Sequence, residues 1–160
     1  MTLTPVKMHL PPESNIIIGQ THFIKTVEDL YEVLVTSHPS LKFGLAFCEA
    51  SQQRLVRWEG NDKELIDAAV ANAQAIGAGH VFVILIKEGF PINVLNSIKS
   101  CPEVCTVFCA TANPVEVIVV EREQGRGVMG VVDGAAPAGV ETEKHQQERK
   151  EFLRKIGYKR

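Results

Sequence analysis

Runs and alternations of apolar residues divide the chain into about eight strands and four helices, mixed in order rather than strictly alternating. The strongest signal is Val81 to Ile86, where every residue is apolar and most are β-branched. Such a run fits a strand covered on both faces. Val6, Met8 and Leu10 alternate with polar residues ahead of Pro11-Pro12, as a short half-buried strand does. Asn15 to Ile18 reads as a buried strand stopped by Gly19, and the compact polar loop Gly19–Phe23 follows. Phe43–Glu49 and Arg54–Trp58 read as strands of one hairpin, turning through Ala50-Ser51-Gln52-Gln53. Val104–Thr111 and Val115–Glu121 are two more strands, separated by Ala112-Asn113-Pro114.

Helical spacing appears in four places. Thr26 and Asp29 resemble a capping box ahead of Val27, Leu30, Tyr31 and Leu34, and Pro39 predicts an end near Ser37. Asn61 and Glu64 form a second capping signature, opening a helix to Ile76 with Ile66, Ala69, Val70 and Ala73 as its stripe. Gly77 is placed as a left-handed stop. Pro91 opens a short helix that turns Val94, Leu95 and Ile98 inward. From Thr142 a polar helix runs toward Gly157 with sparse apolar marks, Phe152, Leu153 and Ile156. These elements predict an α/β fold: a single compact domain over residues 1–160, with a mixed β-sheet flanked by about four helices.

Composition adds exclusions. A chain of 160 residues with 45% apolar and 22% charged residues can build a core without staples and is not disordered. Net charge is −2 with no basic block, so a nucleic-acid partner is not expected. No apolar run reaches membrane-spanning length and no leader pattern opens the chain, so the expectation is a soluble, cytoplasmic protein without a membrane partner. Cys48, Cys101, Cys105 and Cys109 fall in or beside strand-like stretches without paired CxxC spacing. They read as reduced core or near-core thiols, not as a metal or redox centre.

Chemistry concentrates at element ends. His80 stands at the mouth of the Val81–Ile86 strand behind Gly77-Ala78-Gly79, where glycines permit close backbone approach to a ligand. A neutral imidazole nitrogen there can act as base or nucleophile, although a histidine before a strand is more often a hydrogen-bonded structural residue. His22 lies in the loop beside Gln20 and Thr21, a common place for ligand contacts and equally for a solvated side chain. No HxH or HExxH spacing supports a structural metal; Mg²⁺ arriving with a nucleotide is compatible with the chain.

Gly125, Gly127 and Gly130 spell GxGxxG, and Val132 extends it to GxGxxGxV. Strand formers follow where a dinucleotide fold needs a helix, HRD and DFG are absent, and there is no GxxxxGK[ST] loop. What remains is backbone amides beside Arg126 that can cradle phosphate, or a glycine hairpin with a surface arginine. Asn93, Asn96, Asn113 and Thr111 supply amides and hydroxyls suited to base and ribose, while Glu49 and Asp133 are candidates for a base or a Mg²⁺ ligand.

Five segments carry a family resemblance: IIIGQTHFIKTVEDLYE, KFGLAFCEAS, GAGHVFVI, CATANPVEVIV, and EQGRGVMGVVDG followed by GVET. Through them nearly the whole chain resembles the adenosine-specific kinase family of archaea and bacteria. The resemblance implies binding of AMP or adenosine, a stably phosphorylated histidine and a homo-oligomer, of trimeric form. It points to His80 within GAGH as the phosphorylated residue, with His22 within GQTHF as the alternative carrier or a phosphate-binding partner. It implies nucleotide contacts from Gln20, Thr21, Glu49, Ser51, Thr111, Asn113, Gly125, Arg126 and Gly127, beside Asn93 and Asp133. The expected reaction is phosphoryl transfer from ATP to adenosine. The alternative is an AMP-binding sensor, switched by histidine phosphorylation and without turnover.

Overall fold

The computed structural model describes residues 2–160. Its strands are β1 (Leu3–Lys7), β2 (Asn15–Thr21), β3 (Lys42–Cys48), β4 (Val56–Gly60), β5 (Val81–Lys87), β6 (Val104–Thr111), β7 (Val115–Arg122) and β8 (Gly125–Asp133). Its helices are α1 (Thr26–Ser37), α2 (Lys63–Ile76), α3 (Pro91–Lys99) and α4 (Glu143–Lys155). The α/β class and the count of elements agree with the pattern of the chain.

The strands divide into two sheets, ordered β4-β3-β5-β2-β6 and β1-β7-β8. All of their ladders are antiparallel. In place of the mixed sheet expected from the sequence there are thus two antiparallel sheets, and the reason is the order of the strands. Strands β2 and β3 do run in the same direction, joined through α1, but β5 inserts between them and runs against both. The sole parallel pairing among the described residues is an isolated bridge between Ala78 and Arg126.

The apolar run in β5 is explained by burial on both sides. Val81, Val83 and Leu85 pack with Ala69, Ala73 and Ile76 of α2 and with Val117 and Val119 of the smaller sheet. Phe82, Ile84 and Ile86 pack with Leu30 and Leu34 of α1 and Val94 and Ile98 of α3. Each residue therefore meets a covered face, whichever way its side chain points.

Several boundaries moved. β2 does not stop at Gly19; it continues to Thr21, its pairing with β6 shifting register between Ile18 and Gly19. Thr26 is the first helical residue of α1, not its cap, and its hydroxyl donates to the carbonyl of Phe23. Asp62 caps α2 by accepting from the N–H of Leu65 at 3.1 Å. Asn61 is instead used by the neighbouring strand entry, accepting from Phe43 N–H at 2.9 Å and donating to Leu41 O at 2.8 Å. The buried side of α2 is Leu65, Ala68, Ala69, Asn72, Ala73 and Ile76, so Ile66 and Val70 lie at its margin. No side chain of α4 is buried, in keeping with its sparse apolar marks. Among the described residues no helix is long and apolar enough to cross a membrane.

The thiols are free: Cys48 and Cys101 are buried, Cys109 is half-buried and Cys105 is exposed. Burial pushes the Cys48 thiol from 9.0 up to about 11. Burial does the same to Cys109, also to about 11, with the Asp133 carboxylate adding to it. Between these values the unfolded chain releases protons that the folded chain keeps. Their contribution to stability is full below pH 9 and is lost as pH rises through about 11. Denaturant midpoints measured from pH 8 upward are expected to fall over this window, and less steeply in Cys48→Ala. Identical slopes for the two proteins would refute the assignment.

Candidate active site

Because β2 and β3 both run against β5, their C-terminal ends converge on its start. Gln20 pairs with Val81 and Phe47 with Phe82, which brings Thr21 and Cys48 beside His80. The N–H of His80 donates to the carbonyl of Cys48 at 2.7 Å, and the carbonyl of His80 accepts from the N–H of Thr21 at 2.9 Å. Held by both neighbours, His80 has φ of 64°. Few non-glycine residues occupy this left-handed region, histidine among those that do so most readily, and such conformations recur at functional positions. The ring lies nearly parallel to Phe47, with centroids 5.9 Å apart and planes 13° apart. Thr21 is buried, and its Oγ1 has no hydrogen-bond partner among the described residues.

His80 and His22 line one pocket of about 240 Å³, together with Glu49, Ser51 and Gln52. The loop between β3 and β4 forms one wall. It approaches closely because residue 79 is glycine: a Cβ there would lie 2.9 Å from Cβ of Ala50. Glu49 sets the shape of this loop. Its carboxylate accepts from Leu55 N–H at 2.8 Å and from Nη2 of Arg57 at 2.9 Å. The Leu55 N–H first, then Arg57, holds the Glu49 carboxyl below its ordinary 4.5. A carboxylate so stabilised in its charged form is a weak proton acceptor, and its anionic oxygens are already committed.

Two larger clefts adjoin this pocket. One, of about 710 Å³, shares Phe23 and Ile24 with it and continues over Leu55, Arg57 and Trp58. Phe23 and Trp58 are about half exposed there, at 51% and 55%. The other, of about 680 Å³, shares Glu49 and Ala50 and is lined by Ala78, Gly79, Gly125, Arg126 and Gly127. Gly125 and Gly127 of the glycine run thus border the site, on the hairpin between β7 and β8 with no helix behind them, while Gly130 lies further along β8 opposite Ile118.

Arg126 itself is occupied. Its Nε and Nη2 donate to the carboxylate of Glu121, and its Nη1 donates to the carbonyls of Ala75 at 3.0 Å and Ile76 at 3.4 Å. It caps the C-terminal end of α2, where carbonyls have no intrahelical partner.

Gln20, Thr21, His22, Glu49, Ser51, His80 and the Gly125–Gly127 hairpin therefore gather at one end of the molecule. Thr111, Asn113, Asp133 and Asn93 do not join them. Thr111 pairs with Ile16, at the other end of β2 from Thr21, roughly 15 Å away at the rise of a strand. Asn113 donates to Asp133 at 3.1 Å, tying the far end of β8 to the turn after β6. The side chain of Asn93 accepts from Phe90 N–H at 2.9 Å and closes the start of α3, beyond the C-terminus of β5. The structure thus gives Asn93, Asn113 and Asp133 local hydrogen-bonding roles away from His80.

Sequence reasoning missed Phe47 in the His80 pocket, Arg57 and Trp58 in the aromatic cleft, and Arg54 and Arg122 in the glycine-lined cleft. Alternation in the β3–β4 hairpin places Phe47 and Trp58 on strands, but only the pairing reveals which end they occupy.

A family model described as adenosine specific kinase matches residues 6–159. The chain belongs to that family. Among solved structures it is similar to the crystal structure of PH1918 protein from Pyrococcus horikoshii OT3, at 48% identity and a TM-score of 0.96. That match covers 99% of this chain and 98% of the other. No curated protein matches the chain significantly. Membership supports an adenosine-related kinase role.

Proposed function

We propose that the protein transfers a phosphoryl group from ATP to adenosine through a phosphohistidine at His80. The observation that carries this is a left-handed, doubly anchored His80 sharing a small pocket with a second histidine. A neutral ring nitrogen of His80 bonds to the γ-phosphorus as the bridging P–O bond breaks, and ADP leaves with that electron pair. The ribose hydroxyl of adenosine then bonds to phosphorus as the P–N bond breaks, returning the electron pair to His80. The hydroxyl proton passes to His22, the other titratable ring of the pocket. Glu49 serves to hold the loop, given its partners. Mg²⁺ bound to ATP would supply charge neutralisation on the phosphates. Glu49 is committed to Arg57 and Asp133 is remote, so the residues around His80 leave that ion to the oxygens of the nucleotide.

In this reading the adenine ring lies in the aromatic cleft against Phe23 and Trp58, whose π-faces suit a nucleobase. Trp58 is the single tryptophan of the chain. Adenosine titration is expected to change its fluorescence saturably, and Trp58→Ala to weaken adenosine binding about tenfold or more, the value of one stacked base. Binding by calorimetry with no change in emission would remove the base from this cleft.

The test of the reaction is transfer from γ-labelled ATP with Mg²⁺, with and without adenosine. Label appearing in AMP over many turnovers establishes the kinase. Label that stays on the protein while AMP binds would instead establish a phosphohistidine-switched sensor.

A further inference from the structure

The glycine-lined cleft beside His80 contains three arginines, Arg54, Arg122 and Arg126, and they are not equivalent. Arg126 is held by Glu121 and by the carbonyls at the end of α2. Arg54 and Arg122 are exposed and have no carboxylate partner among the described residues. Arg54 sits in the β3–β4 loop with φ of 54°, its N–H donating to the carbonyl of Ser51 at 3.1 Å. Arg122 stands where β7 enters the hairpin, paired with Gly125. The two guanidiniums thus approach the cleft from two sheets.

We propose that this cleft is a polyphosphate subsite, in which Arg54 and Arg122 clamp the phosphate chain of a nucleotide. This rests on the nucleotide-binding reading above. Guanidinium forks bind phosphate oxygens in pairs, and unpaired forks need not surrender an existing partner to do so. The floor suits an extended anion as well. Gly77, Gly79, Gly125 and Gly127 line it, and at Gly125 a Cβ would meet nothing within 4 Å. One feature opposes an anion: the carbonyl end of α2. Arg126 answers it by donating to Ala75 and Ile76, which gives this third arginine a screening role. The remaining carboxylate of the lining, Glu49, is balanced by Arg57. Among the lining side chains of the cleft, Arg54 and Arg122 are then the charges without a paired carboxylate among the described residues, with Glu123 following Arg122 in the chain.

The subsite adjoins the reacting centre. Ala78 and Gly79 belong to the cleft, the next residue is His80, and Glu49 and Ala50 line both cavities.

Calorimetry with inorganic pyrophosphate as the probe tests this, run beside adenosine on wild type, Arg54→Ala/Arg122→Ala, and Arg54→Lys/Arg122→Lys. Pyrophosphate is expected to bind wild type, to lose at least tenfold in the alanine pair, and to recover in part with lysine. Adenosine affinity is expected to stay within twofold in all three. Absence of pyrophosphate binding to wild type, or unchanged affinity in the alanine pair, overturns the subsite. Equal losses of adenosine and pyrophosphate overturn it too, since they show damage to the site as a whole. Should pyrophosphate behave as expected while adenosine fails to bind wild type, the subsite stands and the adenosine kinase reading falls.

Discussion

Replacing His80 with asparagine is expected to abolish acid-labile labelling of the protein and to lower phosphoryl transfer to adenosine at least about a thousandfold, as loss of a covalent nucleophile does. Asparagine is the appropriate replacement because it tolerates the left-handed backbone that His80 occupies at φ of 64°. Loss of activity then reports the ring and not a collapsed turn, and an unchanged thermal midpoint verifies that. His22→Asn separates the roles. If His22 receives the hydroxyl proton, that variant still takes label from ATP but passes it on about a hundredfold more slowly. The discriminating measurement is rapid-quench labelling of both variants with γ-labelled ATP. Label on His80→Asn that His22→Asn lacks would exchange the two assignments. Undiminished transfer in both would exclude a phosphohistidine path.

The family resemblance set Glu49, Arg126 and Asn113 among the nucleotide contacts that accompany His80, and the fold treats them differently. Polar residues at strand ends are recognisable in a sequence, but a strand has two ends. Asn113 and Glu49 look alike until pairing is known. With β5 antiparallel to both neighbours, its N-terminus lies at the C-termini of β2 and β3. That placement makes His80 and Glu49 neighbours and sends Thr111, Asn113 and Asp133 to the opposite end. It also reconciles a histidine at the start of a strand with the usual gathering of ligands at strand C-termini.

The backbone restrictions imposed by proline and glycine were the legible part, whereas the capping roles read for Thr26 and Asn61 were not. Pro39 does keep His38 extended, with ψ of 128°, and Gly77 does end α2 in the left-handed region at φ of 61°. Both outcomes depend on a residue and its immediate neighbours. The role of Arg126 was not legible, because it depends on Ala75 and Ile76, some fifty positions earlier in the chain. That Arg54 and Arg122 have no carboxylate partner among the described residues is illegible for the same reason: a missing partner is a property of three-dimensional arrangement.

The largest structural effect is expected at Gly44, in the middle of β3. A Cβ built there would lie 2.2 Å from Ile66 N, 2.2 Å from the carbonyl carbon of Leu65 and 2.4 Å from its oxygen. All three are backbone atoms of the first turns of α2, so no side chain can swing aside. Ordinary contact needs about 3.5 Å, and the helix must lift from the sheet by more than an ångström. Leu65, Ala69 and Ala73 lose packing when it does, and the far end of α2 carries Gly77 and the approach to His80. Gly44→Ala is therefore expected to lower stability by about 3 kcal/mol, the upper end for overpacking, and the thermal midpoint by roughly 10 °C. Gly130→Ala is the control: its Cβ meets nothing within 4 Å, and the change there is expected within about 0.5 kcal/mol. Denaturant titration of the two variants checks this. A Gly44→Ala protein unfolding together with wild type would mean that the helix does not rest on the strand at this point. Adenosine affinity measured on the folded Gly44→Ala protein is expected to fall with stability, because the same helix positions the turn that carries His80.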